Sequence, residues 1–202
     1  MKNLNIKTTW VLGALLTASG VASAQTSDCA AFTATALPGM TLKTEAVAGD
    51  STRPPGATAG PMLVAHCKVN GKMAERMGQD GKPYHIGFEL RLPTAWNGRF
   101  LYQGGGGNDG VVRPAVGPQA APGYALNRGF AVVTTDAGHQ GPTADFGFDP
   151  IARTDNAYNA HDKVAVTAKE LIRQFYSKPA DKSYFIGCSG GGRQAMMFTQ
   201  RF

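Results

Sequence analysis

No stretch of this chain restricts its fold as tightly as Lys182-Ser183-Tyr184-Phe185-Ile186-Gly187-Cys188-Ser189-Gly190-Gly191-Gly192-Arg193. It reads as a buried strand running into a tight turn that opens a helix, with Ser189 at the apex. Gly187-Cys188-Ser189-Gly190-Gly191 fits G-x-S-x-G, the nucleophile elbow, in which a strained turn lifts a serine oxygen above the end of a parallel sheet. A side chain at Gly187 or Gly191 would collide where strand and helix cross. In a chain with 26 glycines the pattern is weak on its own, and its flanks give it weight.

Those flanks repeat a theme. Arg99-Phe100-Leu101-Tyr102-Gln103 runs into Gly104-Gly105-Gly106-Gly107, and Phe130-Ala131-Val132-Val133-Thr134-Thr135 runs into Asp136-Ala137-Gly138-His139. With Tyr184-Phe185-Ile186 these are three short apolar strands ending in glycine-bearing loops, the place where a parallel sheet builds its sites. Between the second and third, Val164, Ala168, Leu171, Ile172 and Phe175 recur at helical spacing, predicting a helix from about Asn159 to Tyr176 that stops before Pro179. A strand, helix, strand unit of this length predicts a right-handed parallel crossover. Upstream, Tyr84, Ile86, Phe88, Leu90 and Leu92 alternate with His85, Gly87, Glu89 and Arg91, predicting a strand with one buried face. Met62 to Val69 is β-prone, and Asn70-Gly71 is expected to turn. Residues 25 to 61 predict a short strand or two and a loop.

A serine hydroxyl attacks only when a base takes its proton, and the resulting tetrahedral oxyanion needs two backbone N–H groups. Gly190 is expected to supply one, and Gly105, Gly106 or Gly107 the other. This pattern orders its residues as Ser, then an acid, then His, yet thirteen residues follow Ser189 and none is Asp, Glu or His. The expectation is a chain cut short. A rival reading takes Gly105-Gly106-Gly107-Asn108-Asp109-Gly110 as G-x-G-x-x-G with Asp136 near the ribose-binding distance, which would make a dinucleotide-binding oxidoreductase. Against it, Pro114, Gly117-Pro118 and Pro122-Gly123 stand where a helix must open. A third reading is a secreted binding module in which Ser189 is incidental.

Of the four histidines, His66 and His85 fall in strands and read as structural. His139, near Asp145 and Asp149, matches no metal-ligand spacing and reads as a loop hydrogen-bonding group, while His161 opens the crossover helix as a cap or packing residue. No metal or cofactor is expected. Lys2 and Lys7, the apolar run Trp10 to Leu16 and Val21-Ala22-Ser23-Ala24 have the layout of a signal peptide over residues 1–24, predicting a secreted or periplasmic protein. The apolar run is too short to span a bilayer. Its removal lowers the formal charge from +6 to +4, and the remaining Lys and Arg are scattered, which argues against nucleic-acid or membrane partners. In an oxidising compartment Cys29 is expected to pair with Cys67, leaving Cys188 either a lone buried thiol or the partner of a cysteine outside the chain.

The elbow Gly187 to Arg193 resembles that of the tannase and feruloyl esterase family of secreted α/β-hydrolases. So do Leu92-Pro93-Thr94-Ala95-Trp96-Asn97-Gly98-Arg99-Phe100 leading into Gly104 to Gly107, the Asp136-Ala137-Gly138-His139 turn, and the helix carrying Ala168-Lys169-Glu170-Leu171-Ile172 and Phe175-Tyr176. The resemblance runs from about residue 85 to the end. It implies an α/β fold and hydrolysis of aromatic-acid esters (gallate, ferulate, or in some members a terephthalate monoester) through an acyl-enzyme on Ser189. It further implies that Cys188 bonds to a cysteine beside the catalytic histidine, and that a lid domain, often calcium-binding, shapes the acyl pocket. Neither that cysteine, nor the acid and histidine, nor the lid has a counterpart here. The expected organisation is therefore a signal peptide at 1–24, an amino-terminal covering segment at 25–80 and a partial catalytic domain at 81–202, with an open edge beside Tyr184 to Ile186 and low stability.

Overall fold

Burying Tyr84, Ile86, Phe88, Leu90 and Leu92 on one side of a strand requires an apolar surface opposite, and the crossover helix supplies much of it. The computed structural model describes residues 29–32, 37–120 and 123–202. The segment read as a signal peptide lies outside them. Among the described residues no helix is long and apolar enough to cross a membrane.

Six strands form the main sheet: β1 (Met40–Val47), β2 (His66–Met77), β3 (Pro83–Pro93), β4 (Arg99–Gln103), β7 (Ala131–Thr135) and β8 (Lys182–Ile186). The two-residue strands β5 (Gln119–Ala120) and β6 (Gly123–Tyr124) pair separately. The sheet order is β1-β2-β3-β7-β4-β8. Its first four strands are antiparallel, and β7, β4 and β8 are parallel. Residues 40–77 thus extend the same sheet. The α-helices among the described residues are α1 (Pro150–Thr154), α2 (Ala160–Tyr176) and α3 (Gly190–Arg201), with a π-helical turn at Asp155–Asn159 joining α1 to α2.

The crossover helix forms as its spacing requires. Val164, Ala168, Leu171, Ile172 and Phe175 are all buried against the sheet, and Ser177, in a left-handed conformation, ends the helix before Pro179. On β3 the polar face is also covered. Glu89 binds Arg91 at 2.6 Å and accepts from the Ala115 N–H at 2.8 Å, so Arg91 is buried with its charge paired.

Two expectations fail for physical reasons. Asn70-Gly71 does not turn; it lies inside β2, where Gly71 leaves room for the Phe88 ring that a Cβ would strike. The strand bends later, at a register shift between Met73 and Arg76 with Ala74 at φ 55°. The second failure is β8, which is largely exposed. It pairs with β4 alone, and Tyr184 and Ile186 stay 43% and 44% exposed. The open edge foreseen there is present among the described residues.

Two long-range links hold the peripheral strands. Cys29 and Cys67 form a disulfide across 38 residues, with Cα atoms 5.5 Å apart. Asp149 caps α1 by accepting from the Ala152 N–H at 2.7 Å, and its buried carboxylate also accepts from Arg76 at 2.6 Å and the Gln79 N–H at 3.0 Å. The Arg76 hydrogen bond is the main reason its pKa lies well below the usual carboxylate range.

Replacing Cys29→Ala should cost about 2–4 kcal/mol of unfolding free energy in non-reducing denaturation, because the closed loop no longer restricts the unfolded chain. Arg76→Met should cost about 3 kcal/mol at neutral pH by leaving Asp149 buried and unpaired. A depressed folded-state pKa gives stability that is full above the unfolded value and is lost as pH falls through the folded one. The gap between Arg76→Met and the parent should therefore hold at pH 6 and close only below about pH 4, as followed by denaturation at several pH values.

Candidate active site

Strand β4 ends in the glycine loop, and β8, parallel beside it, ends in the elbow, so the register Gln103↔Ile186 delivers both loops to one edge. The Gly104 N–H donates to the Ile186 carbonyl at 2.8 Å, extending the pairing past the strand ends. Ser189 has φ 56° and ψ −120°, a combination ordinarily left to glycine, and it stands exposed at the amino end of α3.

The surrounding glycines are required by contact. A Cβ on Gly187 would strike the Gly191 backbone, one on Gly191 would lie 2.8 Å from the Gly105 carbonyl oxygen, and one on Gly190 2.9 Å from that of Gly107. The loop and the first turn of the helix therefore meet backbone to backbone.

The four amides singled out in the sequence divide into two pairs. The Gly105 N–H donates to Gln194 Oε1 at 3.0 Å, and the Gly106 N–H to Asp109 Oδ1 at 3.0 Å. Gln194 Nε2 in turn donates to Asp109 Oδ2 at 2.7 Å. Gly107 N–H and Gly190 N–H, on neighbouring residues across the contact, have no acceptor among the described residues. Sequence reading missed Asp109 and Gln194. Their signal was two polar side chains beside glycine runs, at Asn108-Asp109-Gly110 and Arg193-Gln194. Burial raises the Asp109 pKa, opposed by the Gly106 hydrogen bond and by the positive charges of Arg193 and Arg113.

No histidine contact includes Ser189, and the loop hydrogen bond expected of His139 is not made, since neither of its buried ring nitrogens has a hydrogen-bond partner among the described residues. His161 is buried, and burial lowers its pKa to about 4, so it is neutral at pH 7. Burial holds the Tyr102 phenol protonated, and its hydroxyl lies 3.1 Å from His161 Nδ1 in a buried hydrogen bond. His139 is buried against the Phe146 ring, with centroids 4.0 Å apart. His66 Nδ1 lies 2.7 Å from the Val64 carbonyl oxygen, and His85 Nε2 lies 3.9 Å from Asp136. Among the described residues no three His, Cys, Asp or Glu side chains cluster as a metal site would need, and Asp145 faces Lys82 at 3.5 Å. Cys188 is a free thiol and is exposed, which overturns the buried-thiol reading.

The dinucleotide reading fails on the same geometry. The Gly105 and Gly106 amides are committed to side chains, and the segment after Gly110 leads to β5 without a helix, so no helix terminus faces a pyrophosphate. Asp136 is buried as a brace, accepting from the Gly87 N–H at 3.0 Å, the Gly138 N–H at 2.9 Å and Gln140 Nε2 at 3.0 Å. Burial, outweighing those bonds, raises its pKa to about 6.

Comparison with known proteins agrees with this geometry. A mono(2-hydroxyethyl) terephthalate hydrolase from Piscinibacter sakaiensis is 45% identical over 161 residues, covering 73% of this chain and 26% of its own. Feruloyl esterase B from Aspergillus niger is 37% identical over 119 residues, covering 58% of this chain and 22% of its own. The crystal structure of feruloyl esterase B from Aspergillus oryzae superposes with a TM-score of 0.70 at 30% identity over 86% of this chain and 34% of that one. Tannin acyl hydrolase from Aspergillus niger gives a TM-score of 0.61 at 27% identity, over 87% of this chain and 34% of that one. The chain thus spans about a quarter to a third of these relatives' lengths. The sequence profile described as "Tannase and feruloyl esterase" matches residues 67–202, and with the elbow and its facing glycine loop in place, this chain belongs to that family of α/β-fold esterases.

Proposed function

We propose that this chain carries the nucleophile and oxyanion-binding part of an exported serine esterase that cleaves esters of aromatic carboxylic acids. The observation that carries the reading is Ser189 held at φ 56° beside two amides, Gly107 N–H and Gly190 N–H, that have no acceptor among the described residues. The Ser189 hydroxyl oxygen attacks the ester carbonyl carbon as a base takes its proton. The carbonyl oxygen becomes an oxyanion between the two amides, and the alcohol leaves to give an acyl-serine that water then hydrolyses. The aromatic acyl class rests on the named activities of relatives: feruloyl esterase, tannin acyl hydrolase and terephthalate monoester hydrolase. Export is supported by the Cys29–Cys67 disulfide, which persists in an oxidising compartment.

None of the four histidines contacts Ser189, so the base and its orienting acid come from outside the described residues. Cys188, exposed one residue from the nucleophile, is placed to be bonded to a segment that carries them. The purified 202-residue chain is accordingly expected to turn over methyl ferulate, methyl gallate and mono(2-hydroxyethyl) terephthalate barely above background. Fusing it to the portion of the Piscinibacter relative that follows the matched residues should give measurable hydrolysis of at least one of these esters. Ser189→Ala in the fusion should lower kcat by roughly 10⁴-fold or more. Undiminished turnover by the Ser189→Ala fusion would overturn the assignment, and robust turnover by the unfused chain would refute the need for an outside base.

A further inference from the structure

The relay Gly106 N–H to Asp109, Gln194 to Asp109 and Gly105 N–H to Gln194 joins the glycine loop to the second turn of the nucleophile helix. Both side chains are shielded from water, Asp109 at 8% exposure and Gln194 at 0%, so solvent cannot replace a lost partner. The donor and acceptor pattern is complete: Asp109 accepts twice, while Gln194 donates once and accepts once. It consumes the amides before Gly107 and leaves the Gly107 N–H open beside that of Gly190. The relay adds side-chain hydrogen bonds to a loop tip otherwise held by the Asp109 N–H donating to the Gly106 carbonyl at 3.2 Å and by its backbone contact with α3. On the side where their own Cβ atoms would stand, Gly106 and Gly107 have nothing within 4 Å, so their packing is confined to the face that meets Gly190.

We propose that Asp109 and Gln194 are positioning residues for ester hydrolysis: their buried relay locks the glycine loop to the nucleophile helix so that the two open amides converge on one oxyanion. The proposal rests on the reading of Ser189 as nucleophile, and it has a test that does not need turnover.

The test exchanges the two functional groups. Gln194→Glu puts two carboxylates face to face, Asp109→Asn puts two amide NH₂ groups face to face, and the double variant restores every donor and acceptor with the charge moved across. In the 202-residue chain, amide hydrogen exchange at Gly105 and Gly106 should be slow. At pH 8 it should speed at least tenfold in each single variant, with exchange in β3 and β7 unchanged, and slow again in the double variant. In the fusion, each single change should lower kcat by roughly 10²-fold with KM within about twofold, as expected when a donor is displaced by about an ångström, and the double variant should recover most of that loss. Unchanged exchange at Gly105 and Gly106 in the singles, no recovery in the double variant, or loss confined to KM would each overturn the proposal. A fusion inactive in every form would refute Ser189 as nucleophile, and the exchange measurement would then decide the relay alone.

Discussion

The architecture of the site depends on a contact that has no side chain in it. The backbone of Gly104 to Gly107 meets the first turn of α3 so closely that a Cβ on Gly190 or Gly191 would come within 2.9 Å and 2.8 Å of loop carbonyl oxygens. That approach brings the Gly107 and Gly190 backbones together, and it forbids any larger residue at the crossing. Backbone contact alone gives no register, because bare peptide surfaces can slide. Register comes from the parallel pairing of β4 with β8, and beyond the strand ends from the Asp109–Gln194 relay.

The rest of the sheet serves to hold β4 in place. Helix α2 buries its apolar stripe on the sheet between β7 and β8 in chain order, and β3 bonds β7 antiparallel on its far side. The π-helical turn before α2 places Asn156 within 3.3 Å of Arg193, one residue from Gln194, so the crossover also touches α3. Asp149 and the Cys29–Cys67 bridge tie the outer hairpin and the amino-terminal segment to this frame. The support is one-sided. Strands β3, β7 and β4 each have two neighbours and are largely buried, whereas β8, which leads into Ser189, has one neighbour among the described residues and two half-exposed apolar side chains.

Much of this was legible from local pattern. Period-two alternation located β3, helical spacing located α2 to within a residue of its start, and glycine with serine at fixed offsets located the elbow. Asn70-Gly71 misled because a turn dipeptide and a strand glycine that makes room for a ring are the same letters; only the partner, Phe88 on the next strand, distinguishes them. The tyrosine and isoleucine of β8 read as core because hydrophobicity reports what a residue favours, whereas burial depends on which neighbours the chain supplies.

By itself the sequence determined most of the elements and the serine-bearing turn, because strand and helix periodicity and the steric need for glycine at a tight crossing are local properties. Which amides stay open was decided only by the tertiary structure. Gly105, Gly106 and Gly107 are identical in sequence and adjacent in space, and what separates them is a glutamine 89 residues away from Gly105 and an aspartate that turns back on the loop. A hydrogen-bond acceptor placed by long-range folding leaves no trace in the composition of the loop it occupies, so the sequence could name the candidates and the fold alone could sort them.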